Sequence, residues 1–137
     1  MDKPTYTFPY KYKTIEETRI LNPRILLPLK TSTGWIDIWF LLDTGADTTM
    51  LTLSAAKEYG LHYNLSQKTK LFGIGDLSVF AYSGEVELKF GKTFNLKVRC
   101  YFIDAEDSTL LLGRLDIFDK FNITFDTSQK KIIFKSL

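Results

Sequence analysis

The amino-acid sequence predicts a mainly β fold, a closed or strongly bent barrel carrying two short helices. Two adjoining runs alternate strictly between apolar and polar residues, the period of a strand with one buried face. Eight further short segments read as strands, several of them bounded by turn-forming residues. Only two segments have helical spacing, and strands this short and numerous in 137 residues usually close into a barrel or a bent sandwich.

In chain order, Tyr6 to Lys13 is the first strand candidate, in a stretch where aromatic and basic groups alternate. Ile25 to Lys30 and Ile36 to Leu42 follow, separated by the turn chemistry of Thr31 to Gly34. The second of these ends in the most apolar run of the chain and is expected to be buried on both faces. Ser54 to Tyr59 reads as a helix, with Ser54 as its N-cap and Gly60 as its stop. Lys70 to Phe72 and Val79 to Tyr82 are short strands around a glycine-spaced tip. The two alternating runs come next: Val86, Leu88 and Phe90 interleave with Glu85, Glu87 and Lys89, and Phe94, Leu96, Val98, Cys100 and Phe102 interleave with Asn95, Lys97, Arg99 and Tyr101. They predict a hairpin turning at Gly91, where a positive φ is needed. Leu110 to Leu112 is a strand feeding a second helix, Leu115 to Phe121, whose Leu115, Phe118 and Phe121 share a face. Ile123 to Phe125 and Ile132 to Lys135 close the chain around the turn Asp126 to Lys130.

Composition narrows the functions available. The length is that of one domain, and 45% hydrophobic with 25% charged residues is ordinary for a globular chain. A net charge of +2 gives no basis for binding nucleic acid by counterion release. The longest unbroken apolar run is Ile38 to Leu42, against about 20 residues for a membrane helix, so no membrane partner is expected. The first residues lack the apolar stretch of a secretory signal, which gives a cytoplasmic expectation. Cys100 and His62 are each the sole residue of their kind, so no internal disulfide is expected, nor a zinc site built on histidine pairs, and the metal and cofactor expectation is none. Cys100 faces inward with Val98 and Phe102 and reads as a small buried hydrophobe.

The chemistry concentrates where IWFLLDTGADTTML places Asp43 directly after the most apolar strand. A carboxylate there is costly unless hydrogen bonded, and the Thr44 hydroxyl and the N–H groups of a turn at Gly45 are at hand to bond it. From these residues alone Asp43 could equally be a former of a strand-ending turn. Two further segments bear on the choice: LFGIG, Leu71 to Gly75, at a hairpin tip, and LLGR, Leu111 to Arg114, at the end of a second apolar strand.

In this order and spacing, DTGAD, GIG and LLGR resemble the retroviral type of aspartic protease, the retropepsin-like family, over about residues 26 to 134. The resemblance implies a barrel of the retropepsin type spanning 21–137, preceded by an extension over 1–20. It implies that Asp43 is the catalytic carboxylate, that the Thr44 hydroxyl bonds across to a partner chain, and that Gly45 is a backbone donor and substrate contact. Asp47 would pair with Arg114, holding the loop, and would also meet substrate. Gly73, Ile74 and Gly75 would form a flap tip over the peptide, and Leu111 would line a pocket. Read without the resemblance, Arg114 faces solvent and Leu111 belongs to the core. The chain carries one Asp-Thr-Gly, so an aspartic endopeptidase needs a second identical subunit and acts on a peptide or protein substrate. The alternative is a catalytically silent module of the same fold that binds peptides or aids assembly. Departures from the viral pattern stand at Thr48, Asp76 and Leu115, and a helix follows Asp47 as in non-viral relatives. The viral dimer is sealed by interleaved chain ends, so a different interface is expected here.

Overall fold

The computed structural model describes residues 3–72 and 78–137. Its elements are Thr5–Pro9 (β1), Lys11–Ile15 (β2), Thr18–Asn22 (β3), Arg24–Thr31 (β4), Gly34–Leu42 (β5), Thr49–Thr52 (β6), Leu53–Tyr59 (α1), Tyr63–Phe72 (β7), Ser78–Phe90 (β8), Phe94–Ile103 (β9), Leu111–Leu112 (β10), Phe121–Asp126 (β11) and Lys131–Ser136 (β12). The fold is mainly β. The alternating runs form the hairpin that their period requires: β8 and β9 pair antiparallel from Phe90 opposite Phe94 to Ala81 opposite Ile103. Gly91 turns between them at φ 64°. Their apolar set, Val86, Leu88, Phe90, Leu96, Val98, Cys100 and Phe102, is buried. Burial pushes the Cys100 thiol up to about 12, so it stays protonated and apolar.

Seven strands form one sheet in the order β4, β5, β10, β6, β9, β8, β7. β4 also touches β8, at Leu29 opposite Leu88, so the sheet bends back on itself through a single bridge. The result is a strongly bent, partly closed barrel, short of the complete closure the sequence allowed. A second sheet, β1-β12-β11, joins the two ends of the chain. Phe90 ties it to the main sheet by packing on Phe121 (ring centroids 4.9 Å apart) and Phe134 (5.6 Å).

The structure corrects several expectations. Tyr6 to Lys13 is two strands, because buried Tyr10 leaves the first sheet and donates its N–H to the Lys130 carbonyl (3.0 Å). The chain then runs out as β2 and returns as β3 through Glu16 and Glu17, both at positive φ (47° and 67°). β5 is not buried on both faces: Phe40 and Leu42 are inside, while Asp37 and Trp39 are exposed. The N-cap of α1 is Thr52, two residues before Ser54; its Oγ1 accepts from the Ala55 N–H (3.1 Å), while Gly60 ends the helix at φ 65°. No second helix forms over Leu115 to Phe121. Asp116 takes φ 67°, outside helical space, because its carboxylate accepts from the backbone N–H and guanidinium of Arg99 (2.9 to 3.0 Å), and Phe121 already belongs to β11.

Candidate active site

Two strands carry the site. β5 and β10 run parallel, with Leu41 opposite Leu111 and Leu42 opposite Leu112, and on the other side of β5 Arg24 lies opposite Leu41. Paired residues share a face, and faces alternate along a strand. Phe40, Leu42 and Leu112 therefore point into the core, where all three are buried. Trp39, Leu41, Leu111 and Arg24 lie on the opposite face, half-buried or exposed. One step beyond the strand the same alternation brings Asp43 to this outer face, half-buried.

The loop after β5 is held from several directions. The Asp43 N–H donates to the Leu112 carbonyl (3.0 Å), and the Ala46 N–H donates back to the Asp43 carbonyl (3.2 Å). The Gly45 N–H donates to Asp43 Oδ1 (3.0 Å), fixing one carboxylate oxygen, and among the described residues no hydrogen bond is made to the other. From the far side, the Arg114 N–H donates to the Ala46 carbonyl (3.0 Å) and the Leu115 N–H to the Asp47 carbonyl (2.9 Å). The Arg114 guanidinium closes the clamp: Nη1 donates to the Thr44 carbonyl (2.8 Å), and Nη2 forms an ion pair with Asp47 Oδ1. The structure thus brings Asp43, Thr44, Gly45, Asp47, Leu111 and Arg114 together. The bond to the Asp43 carboxylate comes from Gly45, and Thr44 enters the clamp through its carbonyl. Gly73, Ile74 and Gly75 lie outside the described residues; on either side of them Leu71 of β7 pairs with Val79 of β8.

Of the residues that support this arrangement, Thr49 was missed in the sequence and Gly113 was read there only as part of LLGR. The Thr49 hydroxyl is fully buried on β6 and accepts from the Gly113 N–H (3.1 Å), locking the two loops together beneath the site. Gly113 must be glycine, since a Cβ there would stand 2.3 Å from the backbone of Thr48. Gly45 is a different case: its φ is not in the left-handed region, and the nearest atom to an added Cβ is Asp43 Oδ1 at 3.4 Å. Nothing among the described residues demands a glycine there. Among the described residues, no group of three or more His, Cys, Asp or Glu side chains could hold a metal ion, and no helix is long and apolar enough to cross a membrane.

A sequence model of the family described as aspartyl protease matches residues 31–114, more than half of the chain and the whole stretch from β5 through the Arg114 clamp. The chain belongs to the aspartyl protease family. Its fold is similar to that of a retropepsin-like aspartic protease from Rickettsia conorii, with a TM-score of 0.59 over 97% of this chain and 91% of the other, at 18% identity. It is also similar to EIAV protease solved in complex with an inhibitor, with a TM-score of 0.52 over 74% of this chain and 88% of the other, at 26% identity. No curated protein matches the chain in sequence. Within this aspartyl protease fold, the family match includes both halves of the clamp, Asp43 to Asp47 and Leu111 to Arg114. The β1 to β3 segment and the closing pair β11 and β12 fall outside it.

Proposed function

We propose that the protein is an aspartic endopeptidase whose catalytic dyad is Asp43 from each of two identical subunits. The observation that carries this reading is the half-exposed Asp43 carboxylate, held by the Gly45 N–H at 3.0 Å in a loop clamped by Arg114. Hydrolysis of a peptide bond by water needs a base to take the water's proton and an acid to protonate the carbonyl oxygen and later the leaving nitrogen. Two carboxyls about 3 Å apart cannot both ionise, a known property of aspartic proteases, so one serves as base and the other as acid. Their titration then belongs to the pair. One chain offers one such carboxylate, and two equivalent Asp43 groups sharing a water require a two-fold axis through the site.

Gly45 supports this reading. The described residues leave room for a side chain, so the demand for glycine comes from the substrate backbone or the second subunit approaching the loop. Thr44, exposed beside it, is the residue whose hydroxyl bonds to the partner loop. β12 is covered on both edges by β1 and β11 of its own chain, so the second copy meets through the Asp43 loops and not by pairing with β12. Gly73, Ile74 and Gly75 cover the bound peptide, Leu111 contacts its side chains, and Asp47 contacts it beside the clamp. Digestion of a peptide library tests the reading. Wild-type protein should cleave, and Asp43→Asn should not while keeping its fold. Equal cleavage by both would end the proposal, and peptide binding without cleavage by either would identify a silent binding module instead.

A further inference from the structure

The hairpin β2–β3 stands beside the outer face of β5 and has no part in the clamp. Lys11 on β2 and Asn22 on β3 are paired across it, and with Arg24 and Trp39 they line a cavity of about 290 Å3. The floor is the indole of Trp39, 40% exposed, with Lys11 Nζ 5.4 Å from its ring centre. Every polar group in the lining is a donor or an amide, and no carboxylate lines it. Among the described residues, the ion pairs join Lys30 with Glu87, Arg99 with Asp116 and Arg114 with Asp47, so Lys11 and Arg24 face the cavity without a carboxylate of their own. A larger adjoining cavity, about 540 Å3, shares Asn22, Arg24 and Trp39 and is lined in addition by Lys13, Asp37, Leu41, Asp107 and Leu110. Both acids line the larger cavity only, and Asp37 stands two residues from Trp39 along β5, on the side away from Leu41.

Trp39 shares its strand face with Leu41 and, by continuation, with Asp43. Four residue steps separate it from Asp43, about 13 Å at the usual rise. An extended peptide reacting at Asp43 would bring a side chain three or four residues from the cleaved bond to this distance.

We infer that the N-terminal hairpin completes the substrate groove, and that Lys11, Asn22 and Arg24 over Trp39 form a subsite for an acidic side chain of the peptide. The inference rests on the peptide-cleaving reading of Asp43 but assigns a role to residues outside the family match. Arg24 offers a planar fork for a carboxylate, Lys11 a second positive charge, and the Asn22 amide a neutral donor. Trp39 packs against the aliphatic part of the same side chain.

The test separates this claim from catalysis. A randomised short-peptide library is selected for binding on full-length Asp43→Asn protein, and the same library is digested by the wild type. Asp and Glu should be enriched at one position, three or four residues from the cleaved bond in the digestion. The double variant Lys11→Gln with Arg24→Gln should reduce that enrichment about fivefold, as expected for two exposed charge contacts. Lys11→Glu with Arg24→Glu should reverse it to Lys and Arg, a result that misfolding would not produce. Absence of acidic enrichment in the binding selection, or enrichment that survives both double variants, would overturn the inference. Failure of the wild type to cleave would strike the catalytic reading alone, because the binding selection reports on the subsite without turnover.

Discussion

The two loops that meet at the site each carry a glycine, and the glycines are there for opposite reasons. Gly113 is walled in, with the Thr48 backbone where its side chain would be, and its N–H is spent on the buried Thr49 hydroxyl. Gly45 is open, with ordinary contact distance to its nearest neighbour and its N–H spent on the Asp43 carboxylate. One glycine lets two parts of the chain pack closely, and the other keeps clear a space that the described residues do not fill. The difference separates what the fold needs from what the function needs, at two glycines 68 residues apart in sequence.

The largest effect should come from Asp43→Asn, which leaves both loops packed but removes the acid and base. Peptide cleavage should fall on the order of 10⁴-fold, with an unchanged thermal unfolding midpoint. Gly113→Ala should act on the other side of the comparison and destabilise the chain by about 3 kcal/mol, read by denaturant unfolding, because backbone rather than a flexible side chain must give way. Gly45→Ala sharpens the contrast: stability should hold or rise by about 0.5 kcal/mol while kcat/KM drops about 100-fold. A large loss of stability in that variant would show that the two glycines are alike after all.

Arg114→Gln removes the guanidinium bonds to Thr44 and Asp47 but keeps the backbone bonds of the clamp. It should cost about 1 kcal/mol of stability, since the pair is well exposed, and lower cleavage by loosening the loop. The smallest effect is expected below the clamp, at Asp116. The Arg99 guanidinium beside it holds its carboxyl down to about 2. A depressed carboxyl stabilises the fold above its unfolded value near 3.8, and that contribution is lost as the pH falls toward 2. Asp116→Asn should therefore reduce stability slightly at pH 6 and leave it nearly unchanged at pH 2, measured by urea unfolding at both.

Regular patterns were legible in the sequence. The alternation from Glu85 to Phe102 gave β8 and β9 with their buried faces, and the apolar strand ending at Asp43 gave the place of the candidate site. Signals that depend on distant partners were not. The left-handed Asp116 that stops a helix after β10 is explained by Arg99, 17 residues away, while its local spacing of Leu115, Phe118 and Phe121 favoured a helix. The β2–β3 turn was missed because it places two glutamates at positive φ where asparagine or glycine is usual. β6 was missed because Thr49 and Thr52 look like loop residues, yet one hydroxyl supports Gly113 and the other caps α1. The motif residues Asp43 and Arg114 could be named from sequence, whereas the openness around Gly45 depends on how distant segments pack.

The central claim is that two copies of Asp43 share one site, and mixing tests it most directly. Wild-type protein at a fixed concentration is combined with rising amounts of Asp43→Asn protein, allowed to exchange subunits, and assayed for peptide cleavage. If the dyad is shared, each wild-type chain captured by a variant chain loses its second carboxylate, and activity falls toward zero as the variant reaches excess. Activity per wild-type chain that stays constant through a large excess, with mixed dimers present, would contradict the account.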